Sequence, residues 1–273
     1  MHYLQLSIPV TDADTRDLLI ASLSELGAEG FEEGDTALKA FVPESDYDET
    51  AFTEALAVFG LVAEKETIAP RNWNAEWESD FEPVIIGDFC TIRAHFHQMP
   101  VSTQYDIVIT PKMSFGTGHH ATTHLMVEQM ACLDLQGKKV LDFGTGTGIL
   151  AILAEKLGAA EVIAIDNDEW SFDNAQENVQ LNDCSRTKVS MDDIEVFSGR
   201  ETFSIILANI NRHILLRYMK VMYELLNAGA TLLMSGLLTE DEAIVSAAAA
   251  AEGFTIQSVN TRNNWITILC MKA

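Results

Sequence analysis

Cysteine is scarce and scattered in this 273-residue chain: Cys90, Cys132, Cys184 and Cys270 form no C-x-x-C pair. That spacing excludes a zinc knuckle or a thioredoxin-type site and fits a reduced, cytoplasmic chain. Positive charge is also short. Only 17 Lys and Arg stand against 41 Asp and Glu, a net charge of −24. Phosphate contacts need clustered basic side chains, so direct nucleic-acid binding and docking on an anionic membrane are not expected. The charge suits a basic protein partner or a cationic ligand. No run of about 18 apolar residues occurs, so no membrane span is expected. The N-terminal MHYLQLSIPV lacks a basic region ahead of an apolar stretch, so it does not read as a signal peptide. Hydrophobic residues make up 48% of the chain, enough for a sizeable core and for one large or two modest domains.

Residues 1–69 read as a small α+β unit with the order βαββαβ, a ferredoxin-like arrangement. Residues 3–10 alternate as a strand, Thr11 and Asp14 have capping-box spacing, and Gly27 stops the helix. Strands are expected near Phe31, at 37–42 and at 61–68, with a helix over 46–59 that places Phe52, Leu56 and Phe59 on one face. Within residues 1–68, 15 acidic residues face three basic ones, a balance of −12 and half the charge of the chain. This is either a surface kept soluble by charge or a docking face for a basic protein. Residues 70–83 are expected to form a linker helix with Trp73, Trp77 and Phe81 in one stripe that packs on a neighbouring domain. Residues 85–96 and 105–109 read as strands leading into a second domain, 84–273.

In that domain strands alternate with helices. Strands are expected at 140–143, 161–165, 187–190, 205–208 and 230–235, and helices at 149–157 and 168–179. Thr239 and Glu242 make a second capping-box spacing, Gly253 ends that helix, and 255–259 with 265–271 read as a hairpin across TRNN. The pattern predicts an α/β, Rossmann-like sheet, mostly parallel with one antiparallel strand.

The strongest signal is VLDFGTGTGILAI. Gly144, Gly146 and Gly148 lie between a strand and a helix, where glycine permits positive φ and close approach to a ligand. The dinucleotide fingerprint G-x-G-x-x-G would need a third glycine at Ile149, so a dinucleotide is disfavoured. Asp166, 24 residues after Asp142, ends the next strand and suits both hydroxyls of a ribose. The pair is similar to motifs of class I S-adenosylmethionine (SAM) methyltransferases. Asp142 is expected to order the loop or the SAM amino group. Asp192 or Asp193, beyond the third strand of this sheet, could reach the adenine amine.

Two further segments carry chemistry. MSFGTGHHATTH at 113–124 is expected to cover the cofactor, with Phe115 as an apolar wall and Thr123 supplying a hydroxyl. Thr122 or Thr123 also reads as a helix cap. His120 and His124 are one turn apart, but no third ligand is near, so no metal is expected. LANINR at 207–212 follows the fourth strand, where ligands bind in such sheets. Asn209 Oδ1 and the main-chain carbonyl of Ile210 could orient a neutral amine; a plain turn role for Asn209 is the competing reading.

Together these segments resemble the PrmA family, the methyltransferases of ribosomal large-subunit protein L11. The family pattern is matched by Trp73, Trp77, Phe81 and Pro83, by Phe115–Gly118 with Thr122–Thr123, by Asp142–Ile152, by Asp166 and by Ala208–Ile210. The resemblance implies SAM-dependent methylation of lysine ε-amines and the N-terminal α-amine of that basic protein. It implies a substrate-gripping N-terminal domain, and SAM contacts at Thr123, Gly144, Asp166 and Asn209. A cytoplasmic monomer is expected. The chain departs from the family in having Ala121 where a proline is usual and, two residues after Asn209 where leucine is often found, Asn211 followed by Arg212. Other readings remain: a methyltransferase for lysine or glutamine of another protein or for a small amine, an oxidoreductase, or a non-catalytic SAM-binding scaffold.

Overall fold

The computed structural model describes residues 3–68, 81–112 and 116–273. The chain divides into two compact units, Met1–Asp80 and Phe81–Ala273.

The first unit has strands β1 (Tyr3–Pro9), β2 (Gly30–Glu33), β3 (Ala37–Pro43) and β4 (Glu64–Ile68), with helices α1 (Ala13–Glu25) and α2 (Glu49–Ala57). The sheet order is β2-β3-β1-β4, all antiparallel, which is the ferredoxin-like order. Alternation dictates the core: Leu6 and Ile8 of β1 and Leu38 and Ala40 of β3 turn inward against Leu19, Leu23 and Phe52 of the helices. The cap of α1 is Asp12, not Thr11. Asp12 Oδ2 accepts from both the amide and the hydroxyl of Thr15, at 2.8 and 2.6 Å.

The second unit carries a seven-stranded sheet of order β10-β9-β8-β11-β12-β14-β13. Its strands are β8 (Lys139–Phe143), β9 (Glu161–Asp166), β10 (Thr187–Met191), β11 (Phe203–Asn209), β12 (Leu226–Leu238), β13 (Phe254–Arg262) and β14 (Trp265–Lys272). The first five run parallel, and β14 is antiparallel to both β12 and β13. The hairpin turns on Asn263 and Asn264, both at positive φ (48° and 65°), the geometry of a two-residue primed turn. Its helices are α3 (Ala121–Met130), α4 (Ile149–Lys156), α5 (Glu169–Leu181), α6 (Arg212–Leu225) and α7 (Glu242–Glu252). Leu141 and Phe143 of β8 join the apolar layer under α6 and α7, while Val140 joins the layer with α3 and α4. Helices therefore cover both faces, as an alternating βα sequence requires. Helix α6 has no counterpart among the elements expected from sequence, although Leu215, Tyr218, Met219, Met222 and Leu225 form a helical stripe. Thr239 does not cap α7: its hydroxyl bonds Asn264, and Asp241 instead accepts from the Leu238 amide.

A three-stranded sheet precedes this one: β5 (Val84–Ile86), β6 (Cys90–Ala94) and β7 (Tyr105–Ile109), in that order. The expected single strand over 85–96 is thus broken by a turn with Gly87 at φ +56°. Strand β7 is an edge whose main chain is closed by asparagines of α5 and by Asn182, its C-cap. The amides of Val108 and Thr110 donate to Asn182 Oδ1 and Asn178 Oδ1 at 2.9 and 2.8 Å. Asn182 Nδ2 and Asn174 Nδ2 donate to the carbonyls of Val108 and Thr110. Spaced four apart, the three side chains stand on one helix face and satisfy groups that a neighbouring strand would otherwise take.

Most of the expected linker helix, 70–80 with Trp73 and Trp77, lies outside the described residues. Phe81–Pro83 are not helical. The carbonyls of Phe81 and Glu82 pair with ring nitrogens of His97 and His119 at 2.6 and 2.9 Å, and Pro83 has no amide to continue a helix. Among the described residues no helix is long and apolar enough to cross a membrane.

Candidate functional site

A cavity of about 540 Å³ opens at the carboxyl ends of β8, β9, β10 and β11. The sheet order reverses about β8, so this is the crevice where open α/β sheets bind ligands. Its wall includes Phe143, Gly144, Gly146, Asp166, Asp193 and Asn209.

The glycine loop turns sharply because its three glycines all adopt positive φ: 75°, 55° and 83° at Gly144, Gly146 and Gly148. The amides of Gly144 and Thr145 both donate to the Ile165 carbonyl, tying the loop to the end of β9. Gly146 donates to Asp166 Oδ2 at 2.9 Å, and Asp166 Oδ1 accepts from the Asp168 amide at 3.1 Å. Gly148 does not line the cavity. It caps α4, and a Cβ there would stand 3.4 Å from the Cα and Cβ of Ala175.

Asp142 is fully buried and stays off the cavity wall. Its Oδ2 accepts from Thr145 Oγ1 at 2.6 Å and from the Ala151 amide in the first turn of α4 at 3.2 Å. It therefore orders the loop and uses one of the helix amides expected to face a ligand. Its Oδ1 is buried without a partner among the described residues. Burial is the dominant influence and pushes its carboxyl up to about 7, against the two hydrogen bonds that favour the charged form.

Asn209 ends β11 in register with Ser235 of β12. Its Nδ2 donates to Thr123 Oγ1 at 3.4 Å, whereas its Oδ1 is buried and has no partner among the described residues. Thr123 is buried in the first turn of α3 and lines a separate water-sized space with Gly116, Thr145 and Asn209, not the large cavity. Ile210 lies against both Gly144 and Gly236, and a Cβ on either would come within 2.3 Å of it. Helix α3 is capped by His120 and not by a threonine: the Thr122 amide donates to His120 Nδ1 at 3.3 Å. Burial lowers the affinity of His120 for a proton and so favours the neutral ring, which lies edge-on to Trp265 at 4.5 Å. Phe115 lies outside the described residues; the following Gly116 carbonyl accepts from Thr147 Oγ1 at 2.7 Å.

Several wall residues carry no expectation from sequence: Tyr218 and Arg217 of α6, Gly236 of β12, and Trp265 of β14. Tyr218 donates to Asp193 Oδ2 at 2.7 Å and leaves Asp193 Oδ1 buried, with no partner among the described residues. Asp192 is exposed on the same wall. The amphipathic stripe of α6 is the signal that could have pointed to Tyr218. Gly236 and Trp265 carry no local mark, because the pairing of distant strands brings them here.

Three carboxylates, Asp166, Asp192 and Asp193, and the single guanidinium of Arg217 border the cavity. That balance favours a cationic ligand over a pyrophosphate. Among the described residues no group of three or more His, Cys, Asp and Glu is placed to hold a metal. A nucleoside with a sulfonium fits what is present: a glycine cradle, an acid at the tip of β9, and an orphaned Asp193 oxygen.

The family described as "Ribosomal protein L11 methyltransferase (PrmA)" matches residues 6–273. A ribosomal protein L11 methyltransferase of Porphyromonas gingivalis is 43% identical over 258 residues, 92% of this chain and 89% of that one. One from Chlorobaculum tepidum is 44% identical over 242 residues, 85% of this chain and 83% of its own length. The crystal structure of ribosomal protein L11 methylase from Lactobacillus delbrueckii subsp. bulgaricus superposes with a TM-score of 0.65 at 28% identity, covering 71% of this chain and all of that one.

Proposed function

The chain belongs to the ribosomal protein L11 methyltransferase (PrmA) family, and on that premise we propose that it transfers methyl groups from SAM to amines of ribosomal protein L11. The acceptors are lysine ε-amines and the N-terminal α-amine. The observation that carries this reading is Asn209 Oδ1: a buried acceptor without a partner among the described residues, at the end of β11, next to the loop that would hold the cofactor.

SAM, when bound, supplies an electrophilic methyl group on a sulfonium. Gly144 and Gly146 would admit it by close backbone approach, and Asp166 would hold the ribose hydroxyls. Asp193 Oδ1 would take the adenine amine. Thr123 supports this arrangement from behind, through its contact with the Asn209 carboxamide.

The nucleophile is the harder partner. A lysine with a pKa near 10.4 is neutral in roughly one molecule per thousand at neutral pH, a cost of about 4 kcal/mol. An adjacent cation and a desolvating pocket both disfavour the ammonium form. Asn209 Oδ1 and the Ile210 carbonyl then accept hydrogen bonds from the neutral amine and aim its lone pair, so the protein's contribution is mainly alignment. His120 is not the proton acceptor. Its Nδ1 already accepts from the Thr122 amide, so in the neutral ring Nε2 carries the hydrogen. The proton leaves to bulk water.

Unit Met1–Asp80 would grip the basic substrate through its acidic surface, and the protein would act as a cytoplasmic monomer. Incubation with labelled SAM and purified ribosomal proteins tests the function. Label on L11 alone is expected; label on another protein, or none, would defeat the reading.

A further inference from the structure

We infer that Gly236 is a positioning residue for the acceptor loop: the absence of a side chain there fixes the Ile210 main chain, and with it the carbonyl that aims the amine. The inference rests on the methyl-transfer reading above.

Three observations converge on Gly236. Strand β12 bulges at this point. Its pairing with β14 passes from Met234↔Ile268 to Leu237↔Ile266, so β12 spends one residue more than its partner. Within the bulge the Ser235 hydroxyl donates to the Ile266 carbonyl at 2.8 Å, which pins the irregular step. Gly236 itself sits at φ +83°, and a Cβ on it would lie 2.3, 2.7 and 3.0 Å from the O, C and N atoms of Ile210. All three are main-chain atoms, and no rotamer change can relieve that clash.

The residues around Ile210 separate two roles. Asn209 is held by the last β11–β12 pair, opposite Ser235, so the strand ladder sets its place. Ile210 is the next residue and has left the ladder. It is wedged between two glycines that touch different parts of it. A Cβ on Gly144 would meet its side chain at Cγ2, 2.3 Å away; a Cβ on Gly236 would meet its backbone. Gly144 therefore belongs to the cofactor loop and constrains the Ile210 side chain. Gly236 borders the same cavity and constrains the peptide group that presents the carbonyl. Bulges beside active sites re-aim groups in this way.

The test uses the full chain and its Gly236→Ala variant. Thermal unfolding reports the fold, calorimetry reports affinity for S-adenosylhomocysteine, and labelled SAM with L11 reports kcat and KM. The expected result is a kcat lower by about a hundredfold, the scale of a misplaced reacting group, with cofactor affinity unchanged. Adding Ile210→Ala should not restore Gly236→Ala, because the clash is with backbone. It should restore cofactor binding to Gly144→Ala in part, because that clash is with Cγ2. If Gly236→Ala does not fold, Ser235→Ala loosens the same bulge without added bulk and is expected to lower kcat alone. Unchanged kcat, cofactor affinity falling as far as kcat, or restoration of Gly236→Ala by Ile210→Ala each overturns the inference. A parent chain that transfers no methyl group defeats the functional reading and the inference with it. A parent that transfers beside an equally active variant defeats the inference alone.

Discussion

Gly146 and Asp166 belong to neighbouring strand ends and are joined by one hydrogen bond, from the glycine amide to Asp166 Oδ2 at 2.9 Å. The acid proposed for the ribose is thus also the acid that holds the glycine loop in place. Asp166→Ala should lose both, weakening S-adenosylhomocysteine binding by about 1.5–3 kcal/mol, the worth of hydrogen bonds to a charged group. Calorimetry on the folded variant checks this, and parental affinity would remove Asp166 from the site.

Asn209→Ala should act on turnover. Its Oδ1 has no partner among the described residues and its Nδ2 makes only one long hydrogen bond, to Thr123 at 3.4 Å, so stability should fall by no more than about 1 kcal/mol while kcat with L11 falls about a hundredfold. Steady-state kinetics beside a thermal melt separate the two effects.

Asp142 makes the protein sensitive to pH. Its folded carboxyl titrates at about 7, above the ordinary value of 3.8. A raised folded value contributes stability that is fully present below the unfolded value, and this is lost as pH rises through the folded one. Unfolding free energy should therefore fall between about pH 4 and 7, and Asp142→Asn should flatten that slope. A cation entering the site favours the carboxylate, so SAM binding near pH 6.5 should release a proton in the parent and none in the variant. Calorimetry in buffers of different ionisation enthalpy measures it.

If the acidic first unit steers a basic substrate, added salt should lower kcat/KM for L11 far more than it raises KM for SAM. The Debye length shrinks from about 10 Å at 0.1 M to about 3 Å at 1 M. A salt-independent kcat/KM would leave the −12 balance of residues 1–68 as a solubility feature.

Asn178→Ala should cost about 2 kcal/mol or more, because the Thr110 amide and the Thr147 carbonyl lose their side-chain partner together. Since the Thr147 hydroxyl also holds Gly116, cofactor affinity should weaken in parallel. Urea unfolding and calorimetry on the same preparation test both halves.

Features legible in the sequence are those encoded locally. Alternation marked β1, a short apolar run marked β8, Phe52 and Leu56 marked α2, and two adjacent asparagines marked the last hairpin. Asp166 and Asn209 were legible because they end strands, and strand ends face the crevice of a parallel sheet. Caps were less so: Asp12 and His120 replaced the threonines beside them, since several nearby polar side chains can reach the same amides. Gly236 and Trp265 were hidden because their places depend on strand order and on a bulge in β12, which no short stretch of sequence specifies, whereas Tyr218 is marked by the apolar stripe of α6.

The asparagine face of α5 has one more effect. With Val108 and Thr110 already saturated by carboxamides, this edge has no spare donor or acceptor there for an incoming strand, which guards against sheet extension between molecules. The safeguard is chemically perishable. Deamidation of Asn182 would set a carboxylate against the Val108 carbonyl, turning attraction into repulsion and reopening the edge as the protein ages.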